Sequence, residues 1–430
     1  MKLAIISDTH FGDPMCALVR FNESSGEYER GVKYTQLMET AGTDNDFLVM
    51  LGDIFDLSIE RYAVVYKAAR AFFKFVQEDS LAGNIIYVPG NHDFDMWHTV
   101  EQQIRIIYQV QQGRPAKPFR WSVPGVIDDR SGNGSERGFQ LPGITEAVVK
   151  NGDKPKVSLY LNGITRKKDG SGKDTTFYFA YPNLYLVTDT ESVLLTHGHY
   201  LEAYWTMCGE WVRKIAREDL DIGDALDVAE LVTLNGPLCQ LACAGIGQAG
   251  PLTELVKVVQ RQVKDGQLER VKEYINRLDN EIDKLTPYPT FHPKEIATDL
   301  FSNYLKKKAG EALSEFRDTR YREEFIRKKE VQDRFREFFN ASWVEISELN
   351  EKYGLNLERP RKVIFGHTHC PIRWESDKPF RVQLSGGEPV TLCNTGGWLF
   401  KRDDDNREIF CGAEVFSYES DKGINSYSVV

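Results

Sequence analysis

The stretch LAIISDTH, residues 3–10, runs from four apolar residues directly into Asp8 and His10. A short continuous apolar run is typical of a strand that is buried on both faces. In α/β sheets, ligands bind at the carboxyl ends of the strands. The stretch therefore predicts a buried strand that ends in a carboxylate and an imidazole, two groups that bind metal ions.

Four further apolar runs follow the same plan: FLVML at 47–51, IIYV at 85–88, VLL at 193–195 and VIF at 363–365. The polar residues behind the five runs are Asp8 and His10, Asp53 and Asp56, Asn91 and His92, His197 and His199, and His367 and His369. Six of the eight histidines fall in these clusters, whereas purely structural roles would scatter them. The pattern predicts that the clusters meet at one rim.

The segments between these runs predict the rest of an α/β core. Residues 62–77 carry apolar side chains at helical spacing: Val65, Ala69, Phe72, Phe73 and Val76. Such a helix supplies the cover that a buried sheet requires. The expected fold class is therefore α/β, with helices packed against the strands.

Two long tracts divide the predicted core. We expect core at 1–112, a β-hairpin and loop insert at 113–185, a core strand with a histidine motif at 186–200, a helical insert at 201–357, and core again at 358–430. The pieces VSLYLNGI and TTFYFAY predict strands in the first insert. Apolar steps of three and four from Leu268 to Leu285 predict a coiled-coil-like seam in the second. A cap over the site and a purely structural insert both fit this tract.

Composition narrows the class of protein. The chain has 430 residues and a net charge of -10, which gives no general attraction to nucleic acid. Seven cysteines without a C-x-x-C pair favour a reducing compartment over a disulfide framework. No signal peptide is visible, and no stretch approaches the roughly 20 apolar residues of a membrane span. We therefore expect a cytoplasmic protein; its oligomeric state is left open.

The donor types at the strand ends indicate the chemistry. Carboxylate, imidazole and amide ligands without thiolate suit Mn²⁺, Fe, Zn²⁺, Ni²⁺ or Co²⁺. There are enough donors for two divalent transition-metal ions. An aspartate that bridges two ions about 3.5–4 Å apart would place a shared hydroxide for attack on phosphorus. The sequence therefore predicts a dinuclear, metal-dependent hydrolase of phosphoric esters.

Five motifs in the chain resemble those of the calcineurin-like metallophosphoesterases, in the same order. They are Ser7-Asp8-Thr9-His10, Gly52-Asp53-Ile54-Phe55-Asp56, Gly90-Asn91-His92-Asp93, Thr196-His197-Gly198-His199 and Gly366-His367-Thr368-His369. The resemblance covers roughly residues 1–100, 185–200 and 360–400, including the Asn394–Trp398 turn. It implies a layered α/β/β/α sandwich of the bacterial type, in which both inserts are additions.

The resemblance also implies roles for these residues. Asp8, His10 and His369 would bind the first metal, Asn91, His197 and His367 the second, and Asp53 both. His92 would be catalytic, donating a proton to the leaving oxygen or holding a phosphate oxygen, with Asp56 orienting its ring. Two other histidines near the motifs, His199 and His98, are candidates for substrate binding.

Departures from particular subfamilies narrow the substrate. Protein Ser/Thr phosphatases carry phosphate-clamping arginines where this chain has Leu57 and Pro89. UDP-diacylglucosamine pyrophosphohydrolases have G-N-R-D where this chain has His92. A histidine there favours phosphomonoesters, phosphodiesters or nucleotides, so we expect a phosphorylated small molecule or nucleotide as substrate.

Other functions stay open. A nuclease, for which the acidic charge is unfavourable, and a nucleotide or UDP-lipid pyrophosphohydrolase are the alternatives within the same superfamily. A non-catalytic metal-binding scaffold is the alternative of another class. It predicts missing ligands, and every expected ligand position is filled in this sequence.

Overall fold

The computed structural model describes residues 1–131, 138–140, 159–165, 175–215, 226–246, 248, 258, 273, 324–376, 379–384, 387–402 and 407–430. The strands in chain order are β1 (Lys2–Ile6), β2 (Val19–Asn22), β3 (Glu27–Arg30), β4 (Asn45–Leu51), β5 (Ala82–Val88), β6 (Gly125–Asp128), β7 (Gly138–Gln140), β8 (Thr176–Phe179), β9 (Asn183–Val187), β10 (Ser192–Thr196), β11 (Lys362–Phe365), β12 (Phe380–Val382), β13 (Val390–Asn394), β14 (Phe400–Arg402), β15 (Glu408–Phe410), β16 (Ala413–Glu419) and β17 (Gly423–Val429). The helices are α1 (Tyr34–Ala41), α2 (Tyr62–Glu78), α3 (Phe94–Glu101), α4 (Tyr108–Gln111), α5 (Leu159–Thr165), α6 (Ala203–Ile215), α7 (Val228–Gln240), α8 (Glu324–Arg327) and α9 (Lys329–Tyr353). Short π-helical segments follow α3 at Gln102–Ile107 and α7 at Leu241–Ile246, and a 3-10 turn spans His199–Leu201.

Two large sheets carry the five predicted strands. The first has the order β17-β16-β1-β4-β5-β8, and the second has the order β12-β13-β11-β10-β9-β6-β7. In the first sheet, β1, β4, β5 and β8 run parallel. In the second, β10, β11 and β13 run parallel. The predicted runs are thus shared between two sheets, three in the first and two in the second.

The two sheets pack face to face, with helices on their outer faces. A buried cluster joins Leu3, Ile5 and Val49 of the first sheet to Leu195 and Ile364 of the second. The intervening residues of β1 and β4 belong to a second cluster that contains the buried face of α2. Because side chains alternate along a strand, each central strand serves both clusters. This arrangement confirms the predicted α/β/β/α layers.

Helix α2 shows how a predicted element forms the outer layer. Its buried residues include all five that the spacing singled out: Val65, Ala69, Phe72, Phe73 and Val76. The ring of Phe72 lies 4.6 Å from that of Phe11, which follows the first motif. The helix therefore packs directly beneath the turn that carries Asp8 and His10.

The prediction of β structure for VSLYLNGI is wrong in its described part, because residues 159–165 form α5. Leu161 and Ile164, three residues apart, are both buried. The Tyr160 ring lies 5.6 Å from Tyr62 and 5.9 Å from Tyr66 on α2. Helical spacing against a neighbouring helix thus outweighs the short alternation that suggested a strand.

Segments of the predicted inserts also belong to the sheets. Strand β6 pairs with β9 in the second sheet, and β8, from TTFYFAY, pairs with β5 in the first. In the helical tract, the described parts α6 to α9 are helical, whereas the predicted seam from Leu268 to Leu285 lies outside the described residues. The core and insert boundaries stay a prediction. None of the described helices combines the length and apolar character that crossing a membrane requires.

Candidate metal centre

The turns behind five strands bring the seven predicted ligands into one buried cluster. Strands β1, β4 and β5 lead to the turns of the first three motifs, and β10 and β11 lead to those of the last two. The residues concerned, each no more than 3% exposed, are Asp8, His10, Asp53, Asn91, His197, His367 and His369. Strand ends from both sheets therefore face the same space.

The first predicted ligand set is compact. The Nε2 atom of His369 lies 3.1 Å from Oδ1 of Asp8 and 3.2 Å from Nε2 of His10. One ligand atom from each of these three residues lies within 4.8 Å of the others. A single cation could accept all three donors.

The second predicted set adjoins the first at Asp53. The Oδ2 atom of Asp53 lies 3.3 Å from Nε2 of His197 and 3.8 Å from Nε2 of His10. Asp53, His197 and His367 form another group with ligand atoms within 4.8 Å of one another. The side-chain oxygen of Asn91 lies 3.1 Å from Nε2 of His197. Asp53 thus lies between the two sets, where a bridging ligand would be needed.

Unusual backbone conformations hold these turns. Among the described residues, eight other than glycine have positive φ, and five of them are the predicted ligands Asp8, His10, Asp53, His367 and His369. Each such conformation costs on the order of 1–3 kcal/mol and persists only where the surroundings impose it. The concentration of strain at these positions indicates a functional site.

Two glycines allow the turns to approach one another. A Cβ atom at Gly52, which has φ of 80°, would clash with the ring of His197. A Cβ atom at Gly90 would clash with the carboxylate and backbone of Asp53. These glycines of the second and third motifs are therefore required by close packing around Asp53.

The charges in the cluster depend on one another. Burial by itself would raise the pKa of Asp53, but the neighbouring imidazoles of His197, His92 and His10 hold it well below its usual value. Burial would lower the pKa of His10, yet the hydrogen bond to Asp56 and the nearby carboxylates raise it to about 9. His197 behaves alike, with a pKa of about 9, because Asp53 outweighs its burial. The site is thus a buried, mutually dependent set of acids and bases.

These residues fit divalent metal ions. Buried carboxylates are costly unless a positive charge offsets them. The ring nitrogens of His10 and His369, only 3.2 Å apart, converge on the same space as Asp8. Oxygen and imidazole donors in this arrangement match the preferences of transition metals such as Mn²⁺ and Zn²⁺.

His92 and Asp56 lie beside this cluster. Nδ1 of His92 donates to Oδ1 of Asp56 at 2.8 Å and also lies 2.7 Å from the Ser58 hydroxyl. Its Nε2 lies 3.9 Å from Oδ2 of Asp53. At 8% exposed, His92 is more accessible than any of the predicted ligands. The ring is therefore oriented with Nε2 toward the centre of the site.

The two remaining predicted histidines differ in position. His199 is fully buried, its ring lies 5.5 Å from that of His197, and neither ring nitrogen has a hydrogen-bond partner among the described residues. His98 contacts Gln102 and Phe119 on the surface of α3, and no described contact joins it to the metal cluster. A substrate-binding role for either residue stays a prediction.

Sequence reasoning assigned no role to Asp93, although the residue stands in the third motif. Its carboxylate accepts hydrogen bonds from the backbone N–H groups of Ile54, at 2.7 Å, and of Gly90, at 2.6 Å. It also accepts the Tyr87 hydroxyl. Asp93 therefore joins the turns of the second and third motifs and keeps Asp53 in place. The adjacent motif residues were the signal that could have identified it.

Three residues of the helical tract were missed because no motif contains them. Oε1 of Glu202 lies 3.1 Å from Nε2 of His367. The Cys243 thiol donates to the Asn91 carbonyl at 2.8 Å. The Gln248 amide donates to the carbonyls of Leu57 and Glu60 and accepts from the N–H of Tyr62. The tract thus contacts three of the five motif turns or the residues directly after them.

Comparison with known protein families identifies the family of this chain. A family model described as calcineurin-like phosphoesterase matches residues 1–230, which is more than half of the chain. The matched part includes the first four motifs and the strands and helices from β1 to α6. Comparison with curated proteins finds no significant match.

Proposed function

The chain belongs to the calcineurin-like phosphoesterase family, and we propose that it uses two divalent transition-metal ions to hydrolyse a phosphomonoester or phosphodiester. A metal-dependent phosphoesterase requires buried donors that converge, and three overlapping groups of such donors are present among the described residues. The dinuclear arrangement and the type of ester are the parts that go beyond the family.

The position of Asp53 carries this proposal. Its Oδ2 atom lies within 4 Å of ring nitrogens from both predicted sets, those of His10 and His197. We assign Asp8, His10 and His369 to the first ion, Asn91, His197 and His367 to the second, and Asp53 to both. When bound, two such ions supply an activated water and positive charge for the phosphoryl oxygens.

His92 is proposed to act on the leaving group. Asp56 accepts the Nδ1 proton of His92, so that Nε2 is the nitrogen directed toward the reacting centre. A proton on that nitrogen can pass to the oxygen of the departing alcohol, or it can hold a phosphate oxygen. Asp56 is proposed as the residue that orients the ring.

The substrate is proposed to be a phosphorylated small molecule or nucleotide. The test is turnover of p-nitrophenyl phosphate and of its bis ester by the protein loaded with Mn²⁺, together with elemental analysis of the purified protein. Hydrolysis of either ester that depends on metal is the expected result. A protein that holds metal but turns over neither ester, nor any member of a panel of nucleotides, nucleic acids and UDP-linked lipids, would instead be a binding scaffold.

A further inference from the structure

Metal-binding imidazoles are usually held through their second ring nitrogen. A histidine that binds metal through one nitrogen typically donates the other N–H group to a carboxylate or carbonyl, which fixes the tautomer and the orientation of the ring. In this site Nδ1 of His10 donates to Asp56 at 3.1 Å, and Nδ1 of His197 donates to the carbonyl of Leu51 at 2.8 Å. Both rings therefore present Nε2 to the acidic centre.

His367 has its acceptor on the opposite nitrogen. Its Nε2 atom lies 3.1 Å from Oε1 of Glu202, within ion-pair distance. A neutral imidazole carries one N–H group and one lone pair. A carboxylate beside Nε2 favours the proton on that atom, which leaves the lone pair on Nδ1.

Glu202 is well placed for this purpose. It lies between the 3-10 turn after His197 and the start of α6, and its N–H donates to the His199 carbonyl at 3.1 Å. Glu202 is 7% exposed and His367 is 1% exposed. A buried carboxylate is costly unless a donor faces it. The N–H group of a metal-bound imidazole is such a donor, so each group stabilises the other.

We propose that Glu202 is a positioning residue for His367, holding the ring so that Nδ1 binds the second metal ion. This inference rests on the proposed dinuclear site. It gives the helical tract a defined task, since the first turn of that tract would supply the carboxylate that completes a ligand in the last motif.

The test compares Glu202→Leu and Glu202→Gln with the wild-type protein. Metal-stripped proteins are titrated with Mn²⁺ by calorimetry, and the absorption spectra of the Co²⁺-loaded proteins are recorded. We expect Glu202→Leu to lower the affinity for the second ion by about 10–100-fold and to alter the absorption spectrum of the Co²⁺-loaded protein. Glu202→Gln should restore much of the affinity, because its amide oxygen can accept the same N–H group.

Glu345→Gln is the matched control. Glu345 is another buried carboxylate of the helical tract, 6% exposed, and it bonds to Ser122, Asn183 and Tyr185 rather than to the cluster. The Glu345→Gln variant should bind both ions as the wild type does, even if its Tm is lower. Wild-type affinity for two ions in folded Glu202→Leu overturns the inference. If that variant does not fold, Glu202→Asp, whose carboxylate is withdrawn by one methylene, decides by the same criterion.

The proposed function fails separately. A wild-type protein that binds fewer than two ions per chain contradicts the dinuclear site itself. If the wild type binds two ions and the Glu202→Leu variant binds both with wild-type affinity, only the role of Glu202 is contradicted.

Discussion

Asp56 holds His92 with one carboxylate oxygen and His10 with the other. Oδ1 lies 2.8 Å from Nδ1 of His92, and Oδ2 lies 3.1 Å from Nδ1 of His10. One side chain therefore orients both a proposed ligand of the first metal and the proposed proton donor. Burial alone would raise the pKa of the Asp56 carboxyl, but the imidazoles of His92 and His10 lower it far below the usual range. The side chain therefore stays charged beside both rings.

Replacing Asp56 with Asn should slow turnover by about 100-fold, because an amide cannot accept a proton from both rings. Metal content should fall only in part, since His10 keeps its other neighbours. Both quantities follow from kcat and elemental analysis. Ser58→Ala is the control: it removes the hydroxyl that bonds to the same carboxylate at 2.9 Å and should change kcat only a few-fold. Equal losses in the two variants would contradict a special role for Asp56.

Asp53→Asn and His92→Ala should separate metal binding from chemistry. The first variant weakens the residue shared by both ligand sets, so it should lose metal and nearly all activity. The second should retain metal while kcat falls by about 100-fold or more, because only the proton donor is removed. Elemental analysis and steady-state kinetics on the same samples decide this. Full activity in Asp53→Asn would reject the bridging role.

Metal should stabilise the folded protein. An ion that binds only the folded state adds about 2.7 kcal/mol when its concentration is 100 times the Kd. The buried carboxylates Asp8 and Asp53 gain most from the added positive charge. Differential scanning calorimetry should show a higher Tm with Mn²⁺ and a lower one with chelator. A Tm that ignores both would argue against a metal centre.

Gln248 should prove important for the second motif. Its amide makes three hydrogen bonds to the backbone of residues 57–62. One of these accepts the N–H group of Tyr62, the first residue of α2, where the preceding residue Arg61 provides no side-chain cap. Gln248→Ala should lower the free energy of unfolding by about 1–3 kcal/mol and reduce kcat. The exposed Gln111 provides the control. Gln111→Ala should leave both the free energy of unfolding, measured by urea denaturation, and kcat unchanged.

Glu345 should make stability depend on pH. Burial raises its pKa from 4.5 to about 6, although Ser122, Asn183 and Tyr185 donate hydrogen bonds to it. The folded state therefore holds this proton more tightly than the unfolded state. The contribution of Glu345 to the free energy of unfolding is fully present below pH 4.5 and is lost as the pH rises through 6. The total loss is about 2 kcal/mol.

Urea denaturation of the wild type and of Glu345→Gln measures this contribution. Since glutamine does not ionise, the free energy of the wild type minus that of the variant should fall by about 2 kcal/mol between pH 4 and pH 7. A difference that stays constant over this range would show that Glu345 does not titrate there.

The strand ends were predictable because two independent signals coincide at each of them. Strand β4 ends in a buried apolar run, and Asp53 follows after one glycine. Buried strands require apolar residues at every position, so the change to polar residues marks the end of the strand as well as the site. The same reasoning located Asn91 after β5 and His197 after β10.

The remaining contacts depend on tertiary structure that leaves no local pattern. Glu202 and Gln248 are single polar residues in a helical tract, and their importance comes from neighbours more than a hundred positions away in the chain. Residues 159–165 misled the prediction for a related reason. Their apolar and polar residues alternate over a segment no longer than one strand, which suits a strand as well as a short helix. Only the contact with α2 shows that the helical face is the buried one.

Five residues with positive φ reduce the stability of the fold but carry the donors that activity requires: Asp8, His10, Asp53, His367 and His369. Glycine at any of them would relax the backbone and delete a donor in the same step. An inactive descendant of this chain is therefore free to become sturdier at its turns. An active one must recover that stability elsewhere, for example in the apolar layer between its two sheets.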